Sequence, residues 1–78
     1  MKKYTLKKKP NFINYEVVKV DMNCIDPSFN AIWEGSIVGK STNGILDVWL
    51  VDFDKKISLE YPFYVAAIPH TFFIDESN

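Results

Sequence analysis

Asn43-Gly44, set between two runs of strand-forming residues, constrains this chain more than any other dipeptide in it. Both residues tolerate the positive φ angles of a type I′ turn, whose twist matches that of paired strands, so a tight β-hairpin is predicted. Residues 31–40, AIWEGSIVGK, lead into the turn with Trp33, Gly35, Ile37 and Gly39 on one face and Glu34, Ser36 and Lys40 on the other. The two glycines permit a close backbone approach or a bulge. Residues 45–53, ILDVWLVDF, return with Leu46, Val48 and Leu50 on one face and Ile45, Trp49, Val51 and Phe53 on the other. A strand apolar on both faces is central in a sheet or covered by another molecule.

Asp54-Lys55-Lys56 predicts a second reversal, and residues 57–65, ISLEYPFYV, then alternate cleanly. Ile57, Leu59, Tyr61, Phe63 and Val65 are expected to face inward and Ser58, Glu60, Pro62 and Tyr64 outward. Pro62 lacks a ladder donor and belongs at an edge or a strand end. Ala66 to Pro69 reads as a link and Thr71 to Ile74 as a closing strand. Upstream, residues 12–22, FINYEVVKVDM, carry the β-branched and aromatic side chains of a strand. Asp26-Pro27, with Ser28 and Asn30, marks a loop or a single helical turn. Residues 3–9, KYTLKKK, read as a short strand or an exposed basic arm, closed by Pro10.

No apolar 3.6-residue period is sustained, so the expected fold is all-β, with five or six antiparallel strands in a meander that closes into a small barrel. Residues 32–65 are expected to form its continuous part. At 78 residues the chain is read as one domain, because a chain this short buries only about 60% of its unfolded surface and builds one modest core. Residues 1–10 form its basic arm or first strand, and residues 75–78 an acidic tail. Hydrophobic residues at 47% supply that core without staples.

The chemistry-bearing residues are few. Cys24 is the single cysteine, so an intrachain disulfide and zinc sites built on several cysteines are excluded. Nothing in the spacing unites Cys24 with His70, the one histidine, which reads as a solvated or hydrogen-bonded link residue. Asp47 projects opposite to Asp52 and Asp54, and turn chemistry accounts for the latter two. Gly35, Gly39, Lys40 and Ser41 are one residue short of a phosphate loop and run into a strand instead of a helix. No catalytic residue, metal or cofactor is expected, and the protein is read as a non-enzyme. No run approaches the roughly 18 apolar residues of a membrane span, and no apolar run follows the Lys-rich start, so a soluble cytoplasmic protein is expected.

Trp33-Glu34-Gly35, an aromatic followed two positions later by a small residue, and Leu50-Val51-Asp52-Phe53-Asp54-Lys55 resemble the second strand and the third-strand ending of Tudor domains. The likeness covers residues 31–69 and extends to the order of elements in the Tudor and Src-homology-3-like small barrels. In that family the aromatics build a cage that holds a methylated arginine or lysine by cation–π attraction. The resemblance implies that Trp33 and Phe53 are cage walls. Lys55 stands where the family has an asparagine that bonds the ligand, and its charge would repel a cation. Leu50 stands where a further cage aromatic is often found.

Two or three large side chains fill a barrel of this size, and Tyr61, Phe63 and one tryptophan are assigned to that interior. Twelve aromatics exceed what it holds, so one apolar row is expected to face outward, under the terminal segments or against another molecule, and a protein partner is the reading taken. The residues read as that surface are Trp33, Trp49, Phe53, Lys55 and Tyr64, and homodimerisation is a rival use of it. A nucleic-acid interface built on Lys2, Lys3, Lys7, Lys8 and Lys9 is the alternative reading. Against it stand a net charge of −1 and nine basic residues that are all lysine, which lacks the guanidinium fork. The abundance of Lys, Asn, Ile, Phe and Tyr follows A/T-rich codons, as in low-GC bacteria, their phages and mobile elements. In that setting a stand-alone domain of this size suits an inhibitor or immunity-type role.

Overall fold

The runs on either side of Gly44 form the longest strand pair, β3 (Ile32–Asn43) and β4 (Leu46–Asp52). A computed structural model describes residues 2–76, apart from the Asn43 side chain. Around that hairpin lie β1 (Lys2–Lys3), β2 (Val17–Asp21), β5 (Val65–Pro69) and β6 (Ile74–Asp75). Strands β2, β3, β4 and β5 stand side by side in one antiparallel sheet, and β1 pairs with β6 in another. A bond from the Tyr4 N–H to the Phe73 carbonyl at 3.2 Å continues the β1–β6 ladder, and a bridge between Val20 and Phe73 joins the two sheets. The fold is all-β, and its described strands form two sheets without a closed ring.

The hairpin turns one residue later than the dipeptide predicts. Asn43 lies opposite Leu46, which leaves Gly44 and Ile45 as the loop. Gly44 has φ +62 and Ile45 has no positive φ, the pattern of a type II′ turn with glycine in its first loop position. A Cβ added to Gly44 would meet nothing within 4 Å, so a substitution there acts through the backbone alone. Gly44→Val is expected to lower stability by about 1–3 kcal/mol in denaturant unfolding. An unchanged midpoint would overturn the turn assignment.

Residues 57–65 do not form the strand that their alternation predicts. Leu59 is 100% exposed, and Tyr61, Phe63 and Val65 are exposed too, while Ile57 alone of the row is buried. Local bonds take the place of a ladder: the Tyr61 N–H donates to Ser58 Oγ at 2.9 Å and the Ser58 N–H to the Tyr61 carbonyl at 3.1 Å. With Pro62 unable to donate, the segment closes on itself as an excursion between β4 and β5. The excursion begins where Asp54, at φ 61, donates its N–H to Asp52 Oδ1. The strand lies instead in Val65–Pro69, of which Ala66 to Pro69 are expected as a link, and it pairs with β4 from Asp52↔Val65 to Val48↔Pro69. The expected continuous meander over 32–65 is therefore broken at residue 53.

Residues 12–16 also leave the expected strand. Tyr15 has φ 69, its N–H donates to the Ile37 carbonyl, and the regular ladder starts only at Val17. Downstream, Met22–Cys24 forms one 3-10 turn, capped by Asp21, whose carboxylate accepts from the Asn23 N–H. His70–Phe72 forms another between β5 and β6.

The core collects Val18 and Val20 from β2, Ile37 from β3, Trp49 and Val51 from β4, and Ala66 and Ile68 from β5. Met22, Phe53, Ile57 and Phe73 complete it. Phe12 packs over one end, 5.1 Å from the Trp49 ring and 5.0 Å from that of Phe73. His70 is fully buried there, accepting from the Asp47 N–H at 3.1 Å through Nδ1, with Nε2 3.0 Å from the Thr5 carbonyl. A neutral ring protonated on Nε2 satisfies both neighbours and ties the amino-terminal segment to β4.

Candidate functional site

The five residues read as a partner surface fall into three places. Trp49 and Phe53, on the inward row of β4 and just past it, are 2% and 4% exposed and belong to the core, which corrects the expectation that they reach a partner. The correction has a simple cause: Asp47, Trp49, Val51 and Phe53 share the covered face, while Leu46, Val48 and Leu50 form the outward one. Tyr61 and Phe63, expected in the interior, are instead exposed on the excursion, their rings 5.1 Å apart and edge to face.

Trp33 is half-buried at the opposite end of the core from Trp49. Its ring lies 5.2 Å from Phe29 and 5.8 Å from Phe53, both edge-on. Lys55, exposed, sets its ammonium 4.0 Å from the Trp33 ring centroid. Trp33, Phe53 and Lys55 are thus brought together, with Phe29 as a fourth member that sequence reasoning missed. Residues 22–30 loop back over β3, and that return, invisible in local spacing, is what delivers Phe29. Leu50, the remaining position of the Tudor comparison, is on the outward face of β4 and 40% exposed.

Tyr64 is 51% exposed at the entrance to β5, beside Asp52 and Asp54, with which it lines a shallow hollow of about 260 Å³. The excursion also exposes Leu59, Tyr61 and Phe63, with Tyr61 lining a separate hollow beside Ile25, Asp26 and Phe29, and the sheet exposes Val38, Leu50 and Val65.

Among the described residues, two of the five lysines of the amino-terminal arm are engaged in ion pairs. Lys3 pairs with Asp21 at 2.9 Å and stands over the Phe72 ring, and Lys8 pairs with the buried carboxylate of Asp75. Asp75 is therefore a β6 residue, not part of an acidic tail; residues 77 and 78 of that expected tail lie outside the described residues. The bond to Asp75 raises the pKa of Lys8, and Lys3 holds that of Asp21 below the ordinary carboxylate range, helped by the Asn23 N–H. Lys2, Lys7 and Lys9 are exposed.

Cys24 ends the 3-10 turn after β2, and burial pushes its thiol up to about 11, which keeps it protonated at neutral pH. His70 faces backbone groups of Asp47 and Thr5. Among the described residues no cluster of three or more His, Cys, Asp or Glu could hold a metal ion, and no helix is long and apolar enough to cross a membrane. No protein-family model, curated protein or solved structure matches the chain.

Proposed function

We propose that this protein is a non-enzymatic interaction domain whose excursion between β4 and β5, with the adjoining outward face of the sheet, docks a protein partner. The observation that carries the reading is the exposure of Leu59 at 100%, Phe63 at 59% and Tyr64 at 51% within six residues of one another. A chain that buries Trp49 and Phe53 has apolar side chains enough for its core, and these three add nothing to it. Tyrosine and phenylalanine on such a segment present large, stiff contact areas, the character of interface hot spots. An inhibitor or immunity-type protein that blocks an enzyme suits a domain of this size.

The Tudor and Src-homology-3-like barrel is the architecture we propose for the fold. In its favour are the irregular loop after β2, the hairpin of β3 and β4, the paired β5, and the short link that returns the chain to β2 at Phe73. A cationic side chain entering at Trp33 would have to displace Lys55, so the proposed partner contact lies at the excursion instead of at that ring.

The test is a binding measurement by calorimetry on the partner recovered from the native host. Tyr64→Ala and Phe63→Ala are each expected to weaken the complex by about 2 kcal/mol, roughly thirtyfold, with thermal unfolding unchanged. Full affinity in the double variant would overturn the reading. Submicromolar binding to random-sequence DNA or RNA at about 150 mM salt, lost when Lys2, Lys7 and Lys9 become Ser, would favour the nucleic-acid alternative.

A further inference from the structure

The two edges of the four-stranded sheet differ in how they are guarded. β2 carries Lys19 and Asp21 and is bridged to Phe73, so its edge is both charged and partly covered. β5 reads Val-Ala-Ala-Ile-Pro, without a charge, and among the described residues it pairs only with β4. An uncharged, uncovered edge strand is a template for another strand, which is why soluble proteins ordinarily place lysines or a covering segment there.

The direction of its free groups follows from one bond. The Phe53 N–H donates to the Tyr64 carbonyl at 2.9 Å, and Phe53 and Tyr64 continue the register of Asp52↔Val65. In an antiparallel ladder bonded and non-bonded pairs alternate, so Ala66 and Ile68 turn their backbone groups towards β4. Val65, Ala67 and Pro69 turn theirs away from the sheet. Pro69, which has no N–H, stands where none is needed by β4.

We propose that the free edge of β5 pairs antiparallel with β5 of a second copy of this chain, about a two-fold axis at Ala67. In that arrangement the two Ala67 residues exchange N–H···O=C bonds, and each Val65 N–H meets the Pro69 carbonyl of the other copy. The missing donor of Pro69 leaves only the Val65 carbonyl without a ladder partner. At the two-fold axis a residue meets its own kind, so a charge there would repel its copy; Ala67 carries none, and β5 has no charge elsewhere. The outward side chains that meet, Val65, Ala67 and Pro69, extend the apolar rows that Leu50 and Val48 begin on β4. The interface goes beyond the partner surface proposed above, shares Val65 with it and leaves Leu59 and Phe63 of the excursion outside the paired strands.

Mass is measured by sedimentation equilibrium from roughly 1 µM to 1 mM, a range in which a weak dimer shows by mass action. The wild-type chain is expected to pass from monomer to dimer. Ala67→Lys, at an exposed position whose side chain points away from the core, is expected to remain monomeric with an unchanged circular dichroism spectrum. Mixing it with Ala67→Glu is expected to restore the dimer, because opposite charges then face across the axis. Amide exchange tests the wild-type chain directly: the Val65 and Ala67 N–H groups should slow at least about tenfold between the dilute and concentrated samples, with Ala66 and Ile68 protected in both. A monomer throughout the range, a dimer untouched by Ala67→Lys, or equal exchange of Val65 and Ala67 at both concentrations would each overturn the proposal.

Discussion

Trp49→Ala is expected to lower the unfolding free energy by about 3–5 kcal/mol, the largest single loss anticipated in this chain. The ring is 2% exposed, meets Phe12 edge-on at 5.1 Å and carries the Lys40 ammonium 5.0 Å above its centroid. Truncation would remove the floor on which Phe12 rests, and with it the packing of the amino-terminal segment. For a domain of this length total stability is about 4–12 kcal/mol at the usual value per residue, so much of it would go. Urea unfolding followed by circular dichroism measures the loss, and a change below about 1 kcal/mol would place the side chain outside the core. Trp49→Phe separates packing from polarity. Among the described residues the buried indole Nε1 has no hydrogen-bond partner, a condition that costs about 1–3 kcal/mol. Phenylalanine removes that orphan while it sacrifices part of the ring, so the two effects offset and the expected loss is less than half that of alanine.

The same tryptophan marks the boundary of what the sequence makes legible. Alternation along residues 45–53 separates the two rows of β4 correctly, yet it carries no sign that says which row is covered. The deciding contacts come from Phe12 and Phe73, 37 and 24 positions away along the chain. The loop at Asp26-Pro27 and the hairpin at Gly44 are legible because each rests on turn chemistry within a few residues, whereas Met22, which opens a 3-10 turn, reads as the end of a strand. Residues 57–65 mislead for the opposite reason: their period of two is real, but Ser58 and Tyr61 bond to each other and leave no ladder for Leu59 and Phe63 to join. Val65–Pro69 hides because Ala-Ala has weak strand preference, and its place in the sheet comes from pairing with β4. His70 was legible as a hydrogen-bonded residue, but not as one buried between Thr5 and Asp47. The outward position of Tyr64 was legible, whereas Leu59 and Phe63 were assigned inward by the same false strand.

Gly35→Ala is the second large effect, and Gly39→Ala is its control. A Cβ on Gly35 would lie 2.5 Å from Val51 Cγ1, 2.9 Å from the Asp52 carbonyl oxygen and 2.9 Å from Phe53 Cδ1. Two of those atoms belong to buried side chains and the third to the β4 backbone, so no flexible end is available to swing aside. Either β3 and β4 separate or Val51 and Phe53 leave their places, and overpacking of this kind costs about 1–3 kcal/mol or more, with the upper end expected here. At Gly39 the nearest atom is Leu50 Cδ1 at 3.2 Å, the tip of a side chain that is 40% exposed and free to turn into solvent. Gly39 also stands at the register shift after Ile37, where the strand is already irregular. Its alanine variant is therefore expected to stay within about 0.5 kcal/mol of the parent in the same urea titration. If the two substitutions proved equally costly, the close approach of β3 to β4 at Gly35 would not be what holds that glycine in place. Loss confined to Gly35→Ala would assign the two glycines of one strand to different tasks, close packing for the first and the bulge for the second.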